Sequence, residues 1–301
     1  MTDLQKTDCL VIGAGPAGLT AAVYLGRYLR SVLVADHGRS RACLIPRSHN
    51  YPAFPEGVTG KELLQLLREQ ALQYGAVIVP GQIVQISGAD GEFLAVSSEH
   101  RIQAKKIILA TGLVDRSIEI PGMNEAIAAD IVRFCPVCDA YEARDANICV
   151  LGSDKDALHK AHFMRTYSRT VTLAFPGDGL PDAEVLESAR SADIRLLIGG
   201  IKQIRHDEHS ITLFLNNGKT TSFDVIYPAL GCDVRSKLAA DLCAEINEVG
   251  CLKVNEHQQT SIEGIYAVGD VVSDLHQLAV GGGHAAIAAT HIHKVLCTNF
   301  R

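Results

Sequence analysis

Two cysteines stand one helical turn apart in the stretch RFCPVCDAYE, residues 133–142. At this spacing Cys135 and Cys138 allow three kinds of chemistry: a disulfide that opens and closes during catalysis, half of a zinc site, or two ordinary thiols. Each possibility needs different partners elsewhere in the chain. The rest of the sequence therefore has to decide between them.

A zinc site would need more ligands than this pair supplies. Structural zinc takes four, usually from a second C-x-x-C pair or from two histidines at ligand spacing. His291 and His293 lie on a predicted helix, where positions i and i+2 face apart. A redox dithiol fits better, because Pro136 restricts the chain between the sulfurs and a helix beginning there would stabilise a thiolate. The other cysteines form no second pair; they are residues 9, 43, 149, 232, 243, 251 and 297.

Asp139 follows the second cysteine directly. A carboxyl group beside a sulfur can accept and return the proton that thiol–disulfide exchange moves, provided that partial burial raises its pKa toward neutrality. The alternative is an exposed aspartate at the start of a helix, where the helix dipole alone would favour it. The residues by themselves leave both interpretations open.

Composition limits the class of protein. The chain has 301 residues and a formal net charge of −6, without a cluster of basic residues, which argues against a nucleic-acid surface. Its N-terminus lacks a signal-peptide pattern and its apolar runs are too short to span a membrane, so we expect a cytoplasmic protein. In a reducing compartment nine cysteines do not predict a structural disulfide framework. Cys9 and Cys149 are expected to pack in buried strands.

The segment DCLVIGAGPAGLTAAVYLGRYLRSVLVAD, residues 8–36, predicts a strand, a glycine turn, a helix and a second strand. Gly13, Gly15 and Gly18 form a G-x-G-x-x-G motif before the helix, and Asp36 ends the second strand. This context is typical of a dinucleotide-binding βαβ unit. The glycines let the backbone approach a pyrophosphate at the helix N-terminus, and Asp36 can accept from a ribose hydroxyl.

The opening pattern returns later in the chain. Residues 146–175, ANICVLGSDKDALHKAHFMRTYSRTVTLAF, again predict strand, turn, helix and strand, and FDVIYPALG at 223–231 repeats the pattern of KKIILATG at 105–112. TSIEGIYAVGD at 260–270 then leads into a C-terminal helix. The fold class is therefore α/β with two Rossmann-like (three-layer ββα) nucleotide-binding domains, the second inserted in the first.

GAGPAG, ATG, FCPVCD between two nucleotide-binding units, and TSIEGIYAVGD occur in the order found in the low-molecular-weight thioredoxin reductases, and the chain resembles that family over essentially its whole length. The resemblance implies a homodimer with a discontinuous FAD domain at 1–115 and 247–301 and an inserted domain at 116–246. It also implies that Cys135 and Cys138 are the redox disulfide and Asp139 its acid/base. It assigns FAD binding to Gly13, Gly15, Pro16, Ala17, Gly18, Asp36, Asn50, Thr111, Gly112, Gly269, Asp270, Gln277, Leu278 and Ala279.

The second nucleotide site departs from the family pattern. Where the family has G-x-G-x-x-A, this chain has Gly152, then Asp154 in place of the second glycine, then Ala157. Asp154 adds a side chain and a negative charge where a pyrophosphate would lie. The family's His-Arg-Arg run for the NADPH 2′-phosphate corresponds here to Phe175-Pro176-Gly177. We therefore expect that NADPH is a poor reductant or none.

The expected flavin site also departs from the family. The family's Gly-Gly-Gln corresponds to Arg41-Ala42-Cys43, with a shorter loop to Asn50. Its Arg-Gln-Ala, which meets the flavin pyrimidine edge, corresponds to Gln277-Leu278-Ala279. Loss of that cation should weaken stabilisation of the anionic reduced flavin.

These features predict an FAD-dependent disulfide oxidoreductase that does not use NADPH and acts on a thioredoxin-like protein or a small disulfide. Its electrons would come from a ferredoxin- or flavodoxin-like protein, or through a second flavin in the vacated nucleotide pocket, where Phe175 could offer an aromatic face. Simple loop packing of Phe175 is an equal alternative. A dithiol oxidase that passes electrons to oxygen fits the lost motif as well. A flavin-based redox sensor is the alternative from another class.

Overall fold

The computed structural model describes residues 4–272 and 275–300. The chain divides into two compact units: Met1–Val114 with Asp233–Arg301, and Asp115–Cys232. The predicted first domain began at residue 1 and ended at residue 301, and both of these ends lie outside the described residues.

The strands are short. In chain order they are β1 Leu4–Ile12, β2 Val32–Asp36, β3 Val77–Pro80, β4 Gln85–Ser87, β5 Phe93–Val96, β6 Arg101–Leu109, β7 Leu113–Asp115, β8 Ile148–Leu151, β9 Val171–Ala174, β10 Arg195–Leu197, β11 Ile201–His206, β12 Ile211–Leu215, β13 Thr220–Phe223, β14 Val225–Pro228, β15 Cys232–Val234 and β16 Ile265–Ala267. The parallel strands β8, β9, β14 and β16 are buried on both faces, as is nearly all of β2.

Two of the helices in the described residues are longer than twelve residues, and the others have twelve residues or fewer. In chain order they are α1 Pro16–Arg27, α2 Gly60–Gln73, α3 Met123–Ala128, α4 Pro136–Asp139, α5 Lys155–Met164, α6 Ala183–Ser191, α7 Lys237–Ala240 and α8 Leu278–Val295. Two short 3-10 helices lie at Arg41–Leu44 and Gly269–Val271.

The first unit is built on a sheet in the order β3-β2-β1-β6-β5-β4, in which β16 also pairs with β6. The strands β3, β2, β1, β6 and β16 are parallel, whereas β5 runs antiparallel to β6 and to β4. Alternate residues of β1 enter two different cores. Cys9 and Val11 pack with α1 and α8, while Leu10 and Ile12 pack with the antiparallel strands and the chain segment around Ala239 and Leu252. The sheet is thus covered on both faces.

The second unit repeats this plan on a smaller scale. Its parallel sheet has the order β10-β9-β8-β14, and a separate antiparallel sheet has the order β11-β12-β13. Ile148 and Val150 of β8 face α5 and α6, whereas Cys149 and Leu151 face the antiparallel sheet and α3. A parallel sheet between a helical layer and a second sheet is the predicted three-layer arrangement, and the fold class is confirmed.

The chain returns to the first unit earlier than the family resemblance implied. The second crossing point is at Asp233, whereas the resemblance implied residue 247. β7 and β15 contain the two crossing points and pair as a two-stranded sheet. After β15, Ala239 and Ala244 are buried in the core of the first unit. Burial of this short helical segment, which has no strong periodic signal of its own, explains the difference.

Across the described ranges, 4–272 and 275–300, no helix has the length and apolar character needed to cross a membrane.

Candidate active site

Cys135 and Cys138 are joined by a disulfide bond, with an S–S distance of 2.09 Å and Cα atoms 5.3 Å apart. Pro136 begins α4, and the Cys138 amide donates to the Cys135 carbonyl over 2.9 Å. The two sulfurs are thus within bonding distance, as a redox dithiol requires. The helix is a single turn of four residues, so its dipole supplies less thiolate stabilisation than a full helix would. Cys9, Cys43, Cys149, Cys243 and Cys297 are free thiols.

The zinc alternative gains no further ligands from the tertiary structure. Within the described part of the chain, no three His, Cys, Asp or Glu side chains group as metal ligands. His291 and His293 point to different neighbours, as their spacing predicted. The His291 ring stacks on His257, while the His293 ring stacks on Tyr28.

The Asp139 side chain is half-buried and directly follows the disulfide-bonded Cys138. Its Oδ1 accepts a hydrogen bond of 2.8 Å from the hydroxyl of Tyr227. Burial raises the pKa of Asp139 to about 6, against the opposing effect of the Tyr227 hydrogen bond. Asp139 does lie in the first turn of α4, but its side chain is half-buried, so the alternative of an exposed aspartate is wrong. A carboxyl group with this pKa can exchange protons near neutral pH.

Tyr227 is a site residue that the sequence analysis did not identify. It lies in β14, 88 residues after Asp139, and its side chain is fully buried. The only signal in the sequence was a hydroxyl-bearing residue within the otherwise apolar strand VIYP. A buried tyrosine hydroxyl requires a partner, but the sequence alone does not say which one.

The glycine loop between β1 and α1 has the geometry that close packing requires. A Cβ atom on Gly13, where φ is +110°, would lie 2.3 Å from the Ala110 carbonyl oxygen. On Gly18 it would lie 1.9 Å from the Gly13 carbonyl oxygen. Gly15 is different, because the nearest atom is Ser40 Oγ at 3.5 Å. The backbone at Gly15 therefore leaves room for a ligand to approach.

Helix α1 begins at Pro16 and presents its first amides without a competing acceptor. Among the described residues no side chain caps this helix, and its first turn contains no acidic residue. Such uncapped amides and the helix dipole favour an anion. Ala17 lies in this first turn, where a Cβ atom on Gly269 would come within 2.9 Å of its own Cβ. The loop after β16 thus packs against the start of α1.

Asp36 ends β2, as predicted, but its carboxylate is already engaged. Oδ1 accepts from the Gly38 amide over 2.8 Å, and Oδ2 forms an ion pair with Arg68 of α2. A carboxylate has further lone pairs, so a ribose hydroxyl can still donate to it. Arg68 was not foreseen, because nothing in the local sequence links α2 to the end of β2.

The remaining predicted cofactor residues follow the carboxyl ends of neighbouring strands. Thr111 and Gly112 come after β6, and Gly269 and Asp270 come after β16, which pairs with β6. The Thr111 hydroxyl donates to the Arg235 carbonyl over 2.6 Å, and the Arg235 amide donates to the Gly112 carbonyl. Ligands of open α/β sheets bind at this edge, between strands whose connections diverge.

A second helix N-terminus lies at the same edge. Helix α8 begins at Leu278 and continues with Ala279, and Gln277 precedes it without a side-chain cap among the described residues. Asn50 Nδ2 donates to Gln277 Oε1 over 2.9 Å. The starts of α1 and α8 are close, since a Cβ atom on Gly281 would lie 3.3 Å from that of Ala17.

The first unit thus brings together two helix N-termini, an open glycine loop and polar residues at one sheet edge. Asp270 also accepts from Arg41, with Nη1 and Oδ2 separated by 3.4 Å. The donor set suits the pyrophosphate of a dinucleotide such as FAD, which supplies two-electron redox chemistry when bound.

The corresponding loop of the second unit is built differently. A Cβ atom on Gly152 would lie 2.6 Å from the Ala229 carbonyl oxygen, so this glycine is needed for packing. Asp154 is the N-cap of α5, and its Oδ1 accepts from the Ala157 amide over 2.9 Å. Phe175 is only 3% exposed and belongs to the core of the unit. The idea that Phe175 offers a face to a second flavin is therefore wrong, and the loop-packing alternative holds.

Comparisons with known proteins identify the family of this chain. The family model for pyridine nucleotide-disulphide oxidoreductases matches residues 7–291. Thioredoxin reductase of Mycolicibacterium smegmatis is 33% identical over 296 residues, which covers 94% of each chain. That of Aquifex aeolicus is 30% identical over 311 residues, covering 96% of this chain and 93% of the relative.

Solved structures show the same fold. Thioredoxin reductase from Streptococcus pyogenes superposes with a TM-score of 0.87 at 26% identity, covering 96% of this chain and 97% of its own. A protein called HlmI gives a TM-score of 0.88 at 25% identity, covering 96% and 92%. The chain belongs to the pyridine nucleotide-disulphide oxidoreductase family and is a low-molecular-weight thioredoxin reductase-like flavoprotein, an FAD-dependent oxidoreductase that acts on disulfides.

Proposed function

We propose that this enzyme passes electron pairs between FAD, held by the first unit, and the Cys135–Cys138 pair, and that it does not take these electrons from NADPH. The pair then exchanges with the disulfide of a thioredoxin-like protein or of a small molecule. The hydrogen bond from the Ala157 amide to the Asp154 carboxylate carries the proposal.

The two nucleotide-type loops of this chain provide an internal comparison. Helix α1 has no acidic residue in its first turn, whereas α5 has the Asp154 cap and Asp156 within its first turn. A pyrophosphate binds a helix N-terminus by accepting from its first amides. At α5 one of these amides already donates to the Asp154 carboxylate. The carboxylates of Asp154 and Asp156 also repel a negatively charged pyrophosphate. A dinucleotide is therefore disfavoured at α5 and favoured at α1.

The 2′-phosphate of NADPH also lacks its expected partners. The residues after β9 are Phe175, Pro176 and Gly177, none of which can donate to a phosphate from its side chain. Lys155, at the start of α5, pairs with Glu184 at an Nζ–Oε2 distance of 3.0 Å. This exposed pair is weak, but it places the Glu184 carboxylate beside the Lys155 ammonium group at the start of α5.

Thiol–disulfide exchange requires proton transfer at each of its two halves. In each half the Asp139 carboxylate accepts the proton of the attacking cysteine thiol. It then donates this proton to the substrate sulfur that leaves. The first half breaks the substrate S–S bond and forms a mixed disulfide, and the second closes Cys135–Cys138. Two electrons and two protons pass from the dithiol to the substrate.

The electron donor is proposed to be a ferredoxin- or flavodoxin-like protein. Burial of Phe175 removes the aromatic face on which a second flavin could stack. A second flavin, a reverse flow of electrons to oxygen as in a dithiol oxidase, and a sensor without turnover remain distinguishable outcomes of experiment. We also propose that the enzyme is a homodimer like its family, which sedimentation equilibrium would test.

The deciding experiment is an anaerobic titration of purified holoenzyme with NADPH, after the flavin content per chain has been measured. We expect one FAD per chain and no bleaching of the visible flavin band, while dithionite reduces the flavin fully. Bleaching by NADPH within the mixing time would overturn the proposal. Two flavins per chain would redirect it to a flavin relay, and rapid reoxidation of the dithiol-reduced enzyme by air would indicate an oxidase.

Two variants test whether the Asp154 cap excludes the nucleotide in this titration. Asp154→Gly restores the glycine of the family pattern and removes the cap from α5. We expect this variant to gain measurable, weak reduction by NADH or NADPH. Asp156→Ala is the matched control, because it removes one charge from the same helical turn and leaves the cap in place. An equal gain in both variants would show that net charge, rather than the cap, excludes the nucleotide, and no gain in either would contradict the proposed role of Asp154.

A further inference from the structure

The hydroxyl group of Tyr227 is held against Asp139 in the second unit. It donates to Oδ1 of Asp139 over 2.8 Å and lies 3.3 Å from the Asp139 carbonyl oxygen. Tyr227 is 0% exposed and is one of the largest fully buried side chains in the described part of the protein. The contact is therefore between a fixed donor and the carboxyl group assigned to proton transfer.

The strand β14 determines which way Tyr227 faces. Val225 and Tyr227 alternate with Ile226 along the strand, so the first two enter the core that contains Ala140 and Ala143. Ile226 enters the opposite core. The tyrosine ring is thus packed among apolar neighbours. Its hydroxyl group points toward the Asp139 carboxyl group.

Other charged groups act on the same pair. The charges of Arg133 and Lys160 lower the pKa of Asp139, and that of Glu142 raises it. Burial and the Asp139 charge raise the pKa of Tyr227, so the phenol keeps its proton throughout the neutral range. An Arg133 hydrogen bond and its charge act in the opposite direction on Tyr227. The hydroxyl is therefore a permanent donor to the carboxylate.

We propose that Tyr227 is a positioning residue for disulfide exchange, which holds the Asp139 carboxyl group in one orientation and stabilises its ionised form. The inference rests on the proposed role of Asp139 as proton carrier. Burial alone favours the protonated carboxyl group, which could donate but not accept a proton at neutral pH. A permanent hydroxyl donor offsets part of this effect, so both protonation states are accessible in each half of the exchange.

The first test is direct titration of Asp139 in the oxidised holoenzyme, by NMR with aspartate labelled at the side-chain carboxyl carbon. Asp139→Asn identifies the signal. Tyr227→Phe removes only the hydroxyl and keeps the packed ring. We expect the Asp139 midpoint to rise by about one pH unit, since a hydrogen bond to a charged group has about this effect. A midpoint is independent of the fraction of protein that is folded, so partial destabilisation does not obscure the result.

Tyr266→Phe is the matched control. Tyr266 is also fully buried on a strand, and its hydroxyl lies 2.9 Å from His291 Nδ1 in the first unit. We expect this variant to leave the Asp139 midpoint unchanged. An unchanged midpoint in Tyr227→Phe, or an equal shift in Tyr266→Phe, would overturn the inference.

The second test measures exchange without the physiological donor. The enzyme is reduced with dithionite, separated from excess dithionite and mixed anaerobically with 5,5′-dithiobis(2-nitrobenzoate), and the released thiolate is followed in a single turnover. With Asp139 as the base, the rate rises with pH through its pKa, and in Tyr227→Phe this rise should occur at higher pH by about the NMR shift. Tyr266→Phe should follow the wild-type profile.

Asp139→Asn separates the two levels of the proposal. If Asp139→Asn exchanges like the wild type at every pH, the proton-carrier role of Asp139 fails and the Tyr227 inference fails with it. If Asp139→Asn is slow while Tyr227→Phe keeps the wild-type profile, only the inference about Tyr227 fails. We expect the double variant to be no slower than Asp139→Asn, because Tyr227 acts through the carboxyl group.

Discussion

The side chains of Asn50 and Gln277 share a hydrogen bond of 2.9 Å, although 227 residues separate them in the sequence. Asn50 lies in the loop after β2, and Gln277 immediately precedes α8. Both residues were assigned to the flavin site by family resemblance, and the fold of the first unit brings them together. Their contact links the loop to the helix N-terminus that we propose to face FAD.

We predict that Asn50→Ala and Gln277→Ala each weaken FAD binding. The loss of FAD binding free energy in the double variant should be smaller than the sum of the two single losses. The contact is partly exposed, so its coupling energy should be about 0.5 kcal/mol. Titration of apoprotein with FAD, followed by flavin fluorescence, measures it. Gln65→Ala is the control, since it removes a similarly exposed 2.9 Å contact with Glu69 on α2. Strict additivity would contradict the predicted coupling.

Gly15 and Gly18 should respond differently to alanine. Gly18→Ala places Cβ 1.9 Å from a backbone oxygen, so the apoprotein should lose about 2 kcal/mol or more of unfolding free energy. Gly15→Ala meets only Ser40 Oγ at 3.5 Å, so apoprotein stability should hold while FAD affinity falls about tenfold or more. Denaturant unfolding and FAD titration of both variants check this. If the Gly15→Ala variant binds FAD with wild-type affinity, the FAD pyrophosphate does not lie against this loop.

The cap at α5 predicts a local effect on hydrogen exchange. Asp154→Ala removes the acceptor of the Ala157 amide, and loss of such a cap costs about 1 kcal/mol. We expect the Ala157 amide to exchange about fivefold faster, as measured by NMR or mass spectrometry. Asp182→Ala is the control, because Asp182 precedes α6 without a side-chain cap bond among the described contacts. Comparable acceleration at the start of α6 would argue against capping as the cause.

The raised pKa of Asp139 predicts how stability varies with pH. The ordinary value is 3.8 and the folded value is about 6, so between these pH values the folded state binds more protons than the unfolded state. The contribution of this group to stability is therefore present below about pH 4 and is lost as pH rises through 6. The loss should be about 2 to 3 kcal/mol.

Asp139→Asn removes this titration and can still accept from Tyr227. The difference in unfolding free energy between the wild type and this variant should therefore change across pH 4 to 6 and level off above it. Denaturant titrations over this range measure the difference. A difference that is constant with pH would show that the Asp139 pKa is unshifted in the folded protein.

Local patterns were sufficient to predict much of this protein. The Cys135–Cys138 pair depends on a three-residue spacing, and the loop around Gly13 depends on turn chemistry next to an apolar strand. The repeated strand–turn–helix–strand pattern predicted two units of one architecture. Asp154 could be recognised as unfavourable for a pyrophosphate because its effect arises within one helical turn.

Tertiary structure decided the contacts that cross long stretches of chain. Strand order and side-chain alternation bring Tyr227 to Asp139, and the approach of α2 to the end of β2 brings Arg68 to Asp36. The burial of Phe175 likewise depends on packing of the whole second unit. The sequence determined which residues could do redox chemistry, because spacing and turn geometry are local properties. Only the fold determined their partners and protonation, because burial and hydrogen bonding depend on residues that are distant in the chain.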